Sequence, residues 1–131
     1  MSTITITMLS GALENENADF MIRFAEAALD QGHGVNVFLY GNGCNMANKE
    51  VAWTGERGMN DALTAFMDGF RVADRLEALA AKGAVLHTCH TTEYGRGTEG
   101  CAYLDGVQRG NVGSSLTKFW MTSDVGFTLG G

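Results

Sequence analysis

An apolar segment, an amphipathic helix and a second apolar segment follow one another within the first forty residues, and few folds accept that order. Thr3 to Leu9 is dense in β-branched and apolar residues and contains no turn former, which predicts a strand buried on at least part of both faces. Ser10-Gly11 ends it. Asn15 or Asn17 is placed to cap a helix whose Phe20, Met21, Phe24, Ala25, Ala28 and Leu29 recur at helical spacing, with Arg23 and Glu26 turned outward. Gly32-His33-Gly34 stops the helix, and Val35 to Tyr40 reads as a second apolar strand. Strand, helix and strand joined by short connections imply a right-handed parallel crossover, the opening unit of a layered α/β fold.

The rest of the chain extends this pattern less regularly. Gly41 to about Asn60 has the residues of a long loop, and a loop of that length inside a compact domain is usually functional. Leu63, Phe66, Met67, Phe70, Ala73, Leu76, Leu79 and Ala80 predict a second helix, with Asp61 as N-cap, Gly83 as stop and a break near Gly69. Ala84 to Thr88 reads as a third strand. Cys89 to Gly113 holds six glycines in twenty-five residues and reads as loop with one short helix. Ser114 or Ser115 is expected to cap a helix through Leu116, Phe119, Trp120 and Met121, and Val125 to Leu129 closes the chain as a strand. With no proline, repeat or linker, nothing divides residues 1–131 into two domains.

Composition narrows the function classes. Nine Lys+Arg against fifteen Asp+Glu give a net charge of −6, and the basic residues are scattered, so direct binding of nucleic acid is not expected. Cysteines at 44, 89 and 101 are odd in number and form no CxxC pair, which argues against a disulfide scaffold and for a reducing compartment. The first basic residue is Arg23, too late for a signal peptide, and no stretch approaches a membrane span. A cytoplasmic protein is the expectation. No GxGxxG or GxxxxGK[ST] loop is present, and no cofactor is expected.

In a parallel sheet the chemistry gathers beyond the carboxyl ends of the strands. Ser10, Gly11 and Glu14 to Asn17 fall there after the first strand, and Tyr40, Asn42, Cys44 and Asn45 after the second. After the third come Cys89 and His90, then Glu93 and Arg96. Cys89 has the strongest case, because a cysteine entering a helix from a strand end meets backbone N–H groups that favour its thiolate. His87, His90 and Arg96 lie close in sequence as sources of positive charge. A thiolate of this kind is a nucleophile for acyl, phosphoryl or sulfur transfer. The same residue also reads as a small buried hydrophobe. Cys44, in a Gly/Asn loop, reads as a bystander. Cys101 follows Gly95, Gly97 and Gly100 and reads as a second, resolving or accepting thiol, the eleven intervening residues being ample to close a bridge. Zinc held by His87, Cys89, His90 and Cys101 is the competing reading, against which the usual ligand spacings are missing.

The order of these segments resembles the DsrE/DsrF/TusD-like sulfur-relay family. Phe20 to His33 is similar to its first helix, an apolar "RFAEALL..GHEV" run, and Val37 to Asn45 to its second strand and "FFY.DGV.N" exit. Cys89 with Arg96-Gly97 resembles the family cysteine followed by "RRG"-like residues, and Ser123 to Leu129 the "DRVV.F" strand. Cys44 stands where the family usually has Val, and Gly95 precedes Arg96 in place of a second arginine. The resemblance implies a single-domain, three-layer α/β fold with a mostly parallel five-stranded sheet and helices on both faces, the fifth strand falling between Cys101 and Gly113. It further implies a cytoplasmic homo- or hetero-oligomer carrying sulfane sulfur as a persulfide on Cys89 between donor and acceptor proteins or small thiols. His90, Arg96 and Asn42 would surround that sulfur, with Cys101 as second thiol. A non-catalytic subunit completing an oligomer around a partner's cysteine is the alternative. Trp53, Phe70, Phe119 and Trp120 exceed what the helix faces need for their own core and are candidates for a subunit interface.

Overall fold

The computed structural model describes residues 1–12, 16–49 and 72–130. Among these residues five strands form one sheet: β1 (Thr3–Met8), β2 (Gly34–Leu39), β3 (Val85–Cys89), β4 (Val107–Gly110) and β5 (Val125–Leu129). Their order is β4-β3-β2-β1-β5, and every pairing is parallel. The chain therefore steps outward from β1 to β4 and then returns to lay β5 on the other side of β1. All five carboxyl ends share one edge.

Strand alternation divides the core into two layers. Ile4, Ile6 and Met8 of β1 join Val35, Val37 and Leu39 of β2 and Leu86 of β3 in one cluster. That layer is covered by α1 (Asn17–Asp30) through Ala18, Met21, Ile22, Ala25 and Ala28, and by α2 (Val72–Ala81) through Val72, Ala73, Leu76 and Leu79. Arg75 on α2 reaches Asp19 at 3.5 Å and Glu26 at 3.1 Å on α1. The opposite layer is thinner. Phe38 and Cys89 meet Phe119 of a six-residue helix, Thr117–Thr122, flanked by Tyr40 and Leu116. Buried threonine hydroxyls of β1 hold that helix: Thr5 bonds the Phe119 carbonyl at 3.3 Å and the Ser123 hydroxyl, and Thr7 accepts from Trp120 Nε1 at 3.1 Å. A TITITM strand thus serves both layers, isoleucine and methionine facing one and threonine the other.

Sequence and structure agree on a parallel five-stranded sheet, with β4 in the interval between Cys101 and Gly113 where the family resemblance puts the fifth strand. They differ at the helix starts. Glu16, not Asn15 or Asn17, precedes α1 and offers no side-chain cap. Asn17 Nδ2 donates instead to Ser10 Oγ at 3.0 Å and to the Gly130 carbonyl at 2.9 Å, joining the ends of β1 and β5. Ser114 and Ser115 do not cap the Thr117–Thr122 helix. A wide turn, Val112–Leu116, precedes it, with Asn111 Oδ1 accepting from the Ser114 amide at 2.7 Å. Phe119 is buried core, whereas Phe20 and Trp120 are exposed. Asn15, Trp53, Asp61 and the positions from Leu63 to Phe70 lie outside the described residues.

Candidate functional site

β3 begins after Gly83, whose φ of +112° makes the turn out of α2, and runs to Cys89. His90 starts the next helix at once, so α3 (His90–Arg96) stands where the glycine-rich composition reads mostly as loop. Cys89 keeps an extended backbone (φ −76°, ψ 110°) as its N-cap. Gly97 ends the helix with a left-handed φ of 68°, and the Thr98 amide closes back on the Glu93 carbonyl at 3.0 Å. The helix ending Thr117–Thr122 is accordingly α4.

Cys89 is wholly buried, its side chain on the Phe38 and Phe119 layer behind Tyr40 and Leu116. The turn that follows β2, Gly41–Ala47, is 3₁₀ and packs against both β3 and α3. It holds Cys44, 1% exposed, in the same corner of the sheet edge. Thr92 joins the two. Its hydroxyl donates to the Cys89 carbonyl at 3.1 Å and lies beside the Cys44 thiol. Burial pushes the Cys44 thiol up, opposed by the Thr92 hydroxyl and the Arg96 cation and reinforced by the charges of Glu93 and Cys89. Cys44 is therefore held as a thiol.

The other expected site residues spread around this corner. Arg96 is exposed and lines a shallow cleft of about 470 Å³ with Gly41, Thr91, Thr92 and Gly95. His90 is half-buried, its ring edge-on to Tyr94 at 4.7 Å. Asn42 is half-buried in the 3₁₀ turn. Cys101 sits half-buried in the loop leading to β4, its amide donating to the Thr98 carbonyl at 3.3 Å. His87 does not supply positive charge: burial, and less so Lys118, push its imidazole down, and Nδ1 lies 2.9 Å from Ser115 Oγ. Among the described residues no group of three or more His, Cys, Asp or Glu side chains gathers as a metal site.

Thr92 and the partner of Glu93 escape a reading of the sequence. Thr92 carries no motif, although its place three residues after a strand-end cysteine is where a hydroxyl can reach back to that carbonyl. Glu93 reads as a site carboxylate, but it is 2% exposed and both its oxygens meet the Tyr103 hydroxyl, ten residues on. The crevice where the strand order reverses, between β1 and β5, is bridged by the Asn17 bonds, whereas Cys44 and Cys89 lie at the ends of β2 and β3.

The model of the DsrE/DsrF-like family matches residues 2–115. The chain belongs to this family. That span contains β1 to β4 and α1 to α3, with Cys44, Cys89 and Cys101. Among solved structures it is similar to the YchN protein of E. coli, with a TM-score of 0.78 at 22% identity over 98% of this chain and 100% of that one. MTH1491 of Methanobacterium thermoautotrophicum superposes with a TM-score of 0.69 at 13% identity, covering 98% and 100%. BT1422 of Bacteroides thetaiotaomicron gives 0.61 at 14% identity, covering 98% and 95%. Identities this low establish a shared fold. No curated protein sequence matches the chain. As a DsrE-like protein it is a member of a sulfur-relay family, and no described helix is long and apolar enough to cross a membrane.

Proposed function

We propose that this protein carries sulfane sulfur as a persulfide on Cys89 and hands it to an acceptor protein or small thiol in the cytoplasm. The observation that carries the reading is the position of Cys89, at the carboxyl end of β3 and immediately before α3, within the span matched by the family model. The thiolate would attack the outer sulfur of a donor, whose remaining part leaves with the bonding electrons. The Phe38, Phe119, Tyr40 and Leu116 enclosure would keep water and small oxidants from the stored sulfur. Loading and unloading then require Tyr40 and Leu116, the partly exposed members of that enclosure, to move aside. Arg96, on the cleft lined also by Gly41, Thr91, Thr92 and Gly95, would meet an anionic donor. Cys101, the half-buried thiol, would serve as a later acceptor.

The zero exposure of Cys89 favours a second reading, a non-catalytic subunit that completes an oligomer around a partner's cysteine. Either role fits assembly with copies of itself or related subunits through exposed apolar residues of α4 and β5, Trp120, Met121 and Val125. Both readings meet one experiment. Brief treatment with benzenethiosulfonate, a donor that leaves as sulfinate, should add about 32 Da, mapping to the Cys89 peptide. Loss of the gain in Cys89→Ser supports the carrier. An unchanged gain in that variant, or none in the native protein together with slow native alkylation of Cys89, removes it and leaves the assembly role.

A further inference from the structure

We infer that Cys44 is the resolving thiol of Cys89, so that the pair reduces a bound sulfane sulfur to sulfide and closes a disulfide between β2 and β3. The inference rests on the persulfide reading of Cys89 and extends it to the fate of the sulfur. Leu39 pairs with Thr88, so β2 and β3 leave the sheet side by side at Tyr40 and Cys89. The turn carrying Cys44 packs on β3 and α3, where Thr92, beside the Cys44 thiol, donates its hydroxyl to the Cys89 carbonyl. Gly43 pins the turn. A Cβ there would fall on the Met8 carbonyl, so the turn lies directly on the end of β1 and Cys44 has little room to swing outward. Both cysteines are free and no more than 1% exposed. Cys101 is held on a separate loop and is half-exposed.

The chemistry balances within the pair and its cargo. Cys44 sulfur attacks the Cys89 sulfur of the persulfide, forming the Cys44–Cys89 bond. The bond from Cys89 to the outer sulfur breaks, and the outer atom leaves with the electron pair and the Cys44 proton as hydrogen sulfide. The sulfane sulfur gains two electrons and the two thiols lose them. A small thiol or dithiol reductant then opens the disulfide, itself becoming a disulfide. Burial holds Cys44 as a thiol, which opposes the attack, so its proton must pass to the departing sulfur as the new bond forms.

The test uses the full chain, benzenethiosulfonate as sulfur source and no added reductant, followed by intact mass, disulfide mapping and sulfide assay. The native protein should gain about 32 Da and then settle about 2 Da below its reduced mass, releasing about one sulfide per chain, with the new bridge mapped to Cys44 and Cys89. Cys44→Ser and Cys44→Ala should keep the added sulfur, their sulfide release falling about tenfold or more. Mapping on the native protein decides the matter even if a variant folds poorly. A native protein that holds its added sulfur as long as Cys44→Ser does, or a bridge that maps to Cys101, overturns the inference while the carrier stands. A Cys89→Ser protein that still loads, or a native protein that takes up no sulfur, overturns both.

Discussion

The Tyr103 hydroxyl lies 2.8 and 2.9 Å from the two carboxylate oxygens of Glu93, a side chain that is almost wholly buried. This contact ties the first turn of α3, next to the cysteine corner, to the loop that carries the chain to β4. Asn48 pairs with Tyr103 across the same loop, and the Leu104 amide bonds the Ala47 carbonyl at 2.7 Å. The 3₁₀ turn, α3 and the loop before β4 are thereby held as one unit.

Removing the phenol oxygen should therefore cost more than an ordinary surface change. Tyr103→Phe leaves a buried carboxylate without its hydroxyl donor, for an expected loss of about 1–3 kcal/mol. Burial, and beyond it Glu93, push the Tyr103 phenol up against the opposing pull of Arg109, so it stays protonated as a donor through neutral pH. Urea unfolding of Tyr103→Phe checks the loss, and a change within a few tenths of the native value would show that Glu93 has another donor.

His87 should make stability depend on pH. Burial, then Lys118, lower its pKa in the folded chain, so between the ordinary value near 6.5 and the lower folded value the unfolded chain binds more protons. The stability tied to the neutral ring is complete above about 6.5 and is lost as pH falls through the folded pKa. Urea midpoints at pH 7.5, 6.5 and 5.5, all about these values, should decline in the native protein and decline less in His87→Gln. Equal declines would sink the assignment.

The sheet was legible from residues 3 to 40 because each strand there repeats apolar residues along the face that α1 covers, and because α1 itself keeps a clear apolar stripe. β4 was not legible by pattern. Its four residues, VQRG, bury only the first and last, too little for any period to register. Asn17 looks like a cap by local rules, but its partners are Ser10 and Gly130, the latter 113 positions away. The position of Cys89 at a strand end and helix start was readable from its flanks. Its burial was not, since Phe38 and Phe119 come from elements far apart in sequence. Cys44 looks like a bystander for the same reason: its neighbour Thr92 is brought to it only by the β2–β3 pairing.

The outer face of α4 should govern assembly. Met121 is 80% exposed and Trp120 42%, while the same helix buries Phe119. Met121→Asp adds charge to that outer face without touching the Thr5 and Thr7 bonds that anchor α4. Light scattering should show a lower mass for Met121→Asp than for the native protein, with an unchanged far-UV spectrum. An equal mass for both would place the subunit contacts elsewhere.

Two glycines of the corner should respond in opposite ways to the same methyl group. At Gly43 the added carbon would strike the Met8 carbonyl oxygen, with the carbonyl carbon at 3.0 Å and the Ser10 oxygen at 3.5 Å. Those atoms belong to the end of β1, clamped between β2 and β5, and cannot retreat. The turn must move instead. Gly43→Ala should lower stability by about 1–3 kcal/mol and loosen the seat of Cys44, which native alkylation would report as faster modification. Gly95 meets nothing within 4 Å and sits inside α3 without a positive φ. Gly95→Ala should therefore stabilise by about 0.5–1 kcal/mol through helix propensity alone, leaving Cys44 reactivity as it was. An unaltered Cys44 in Gly43→Ala would mean that the turn is not what seats the thiol.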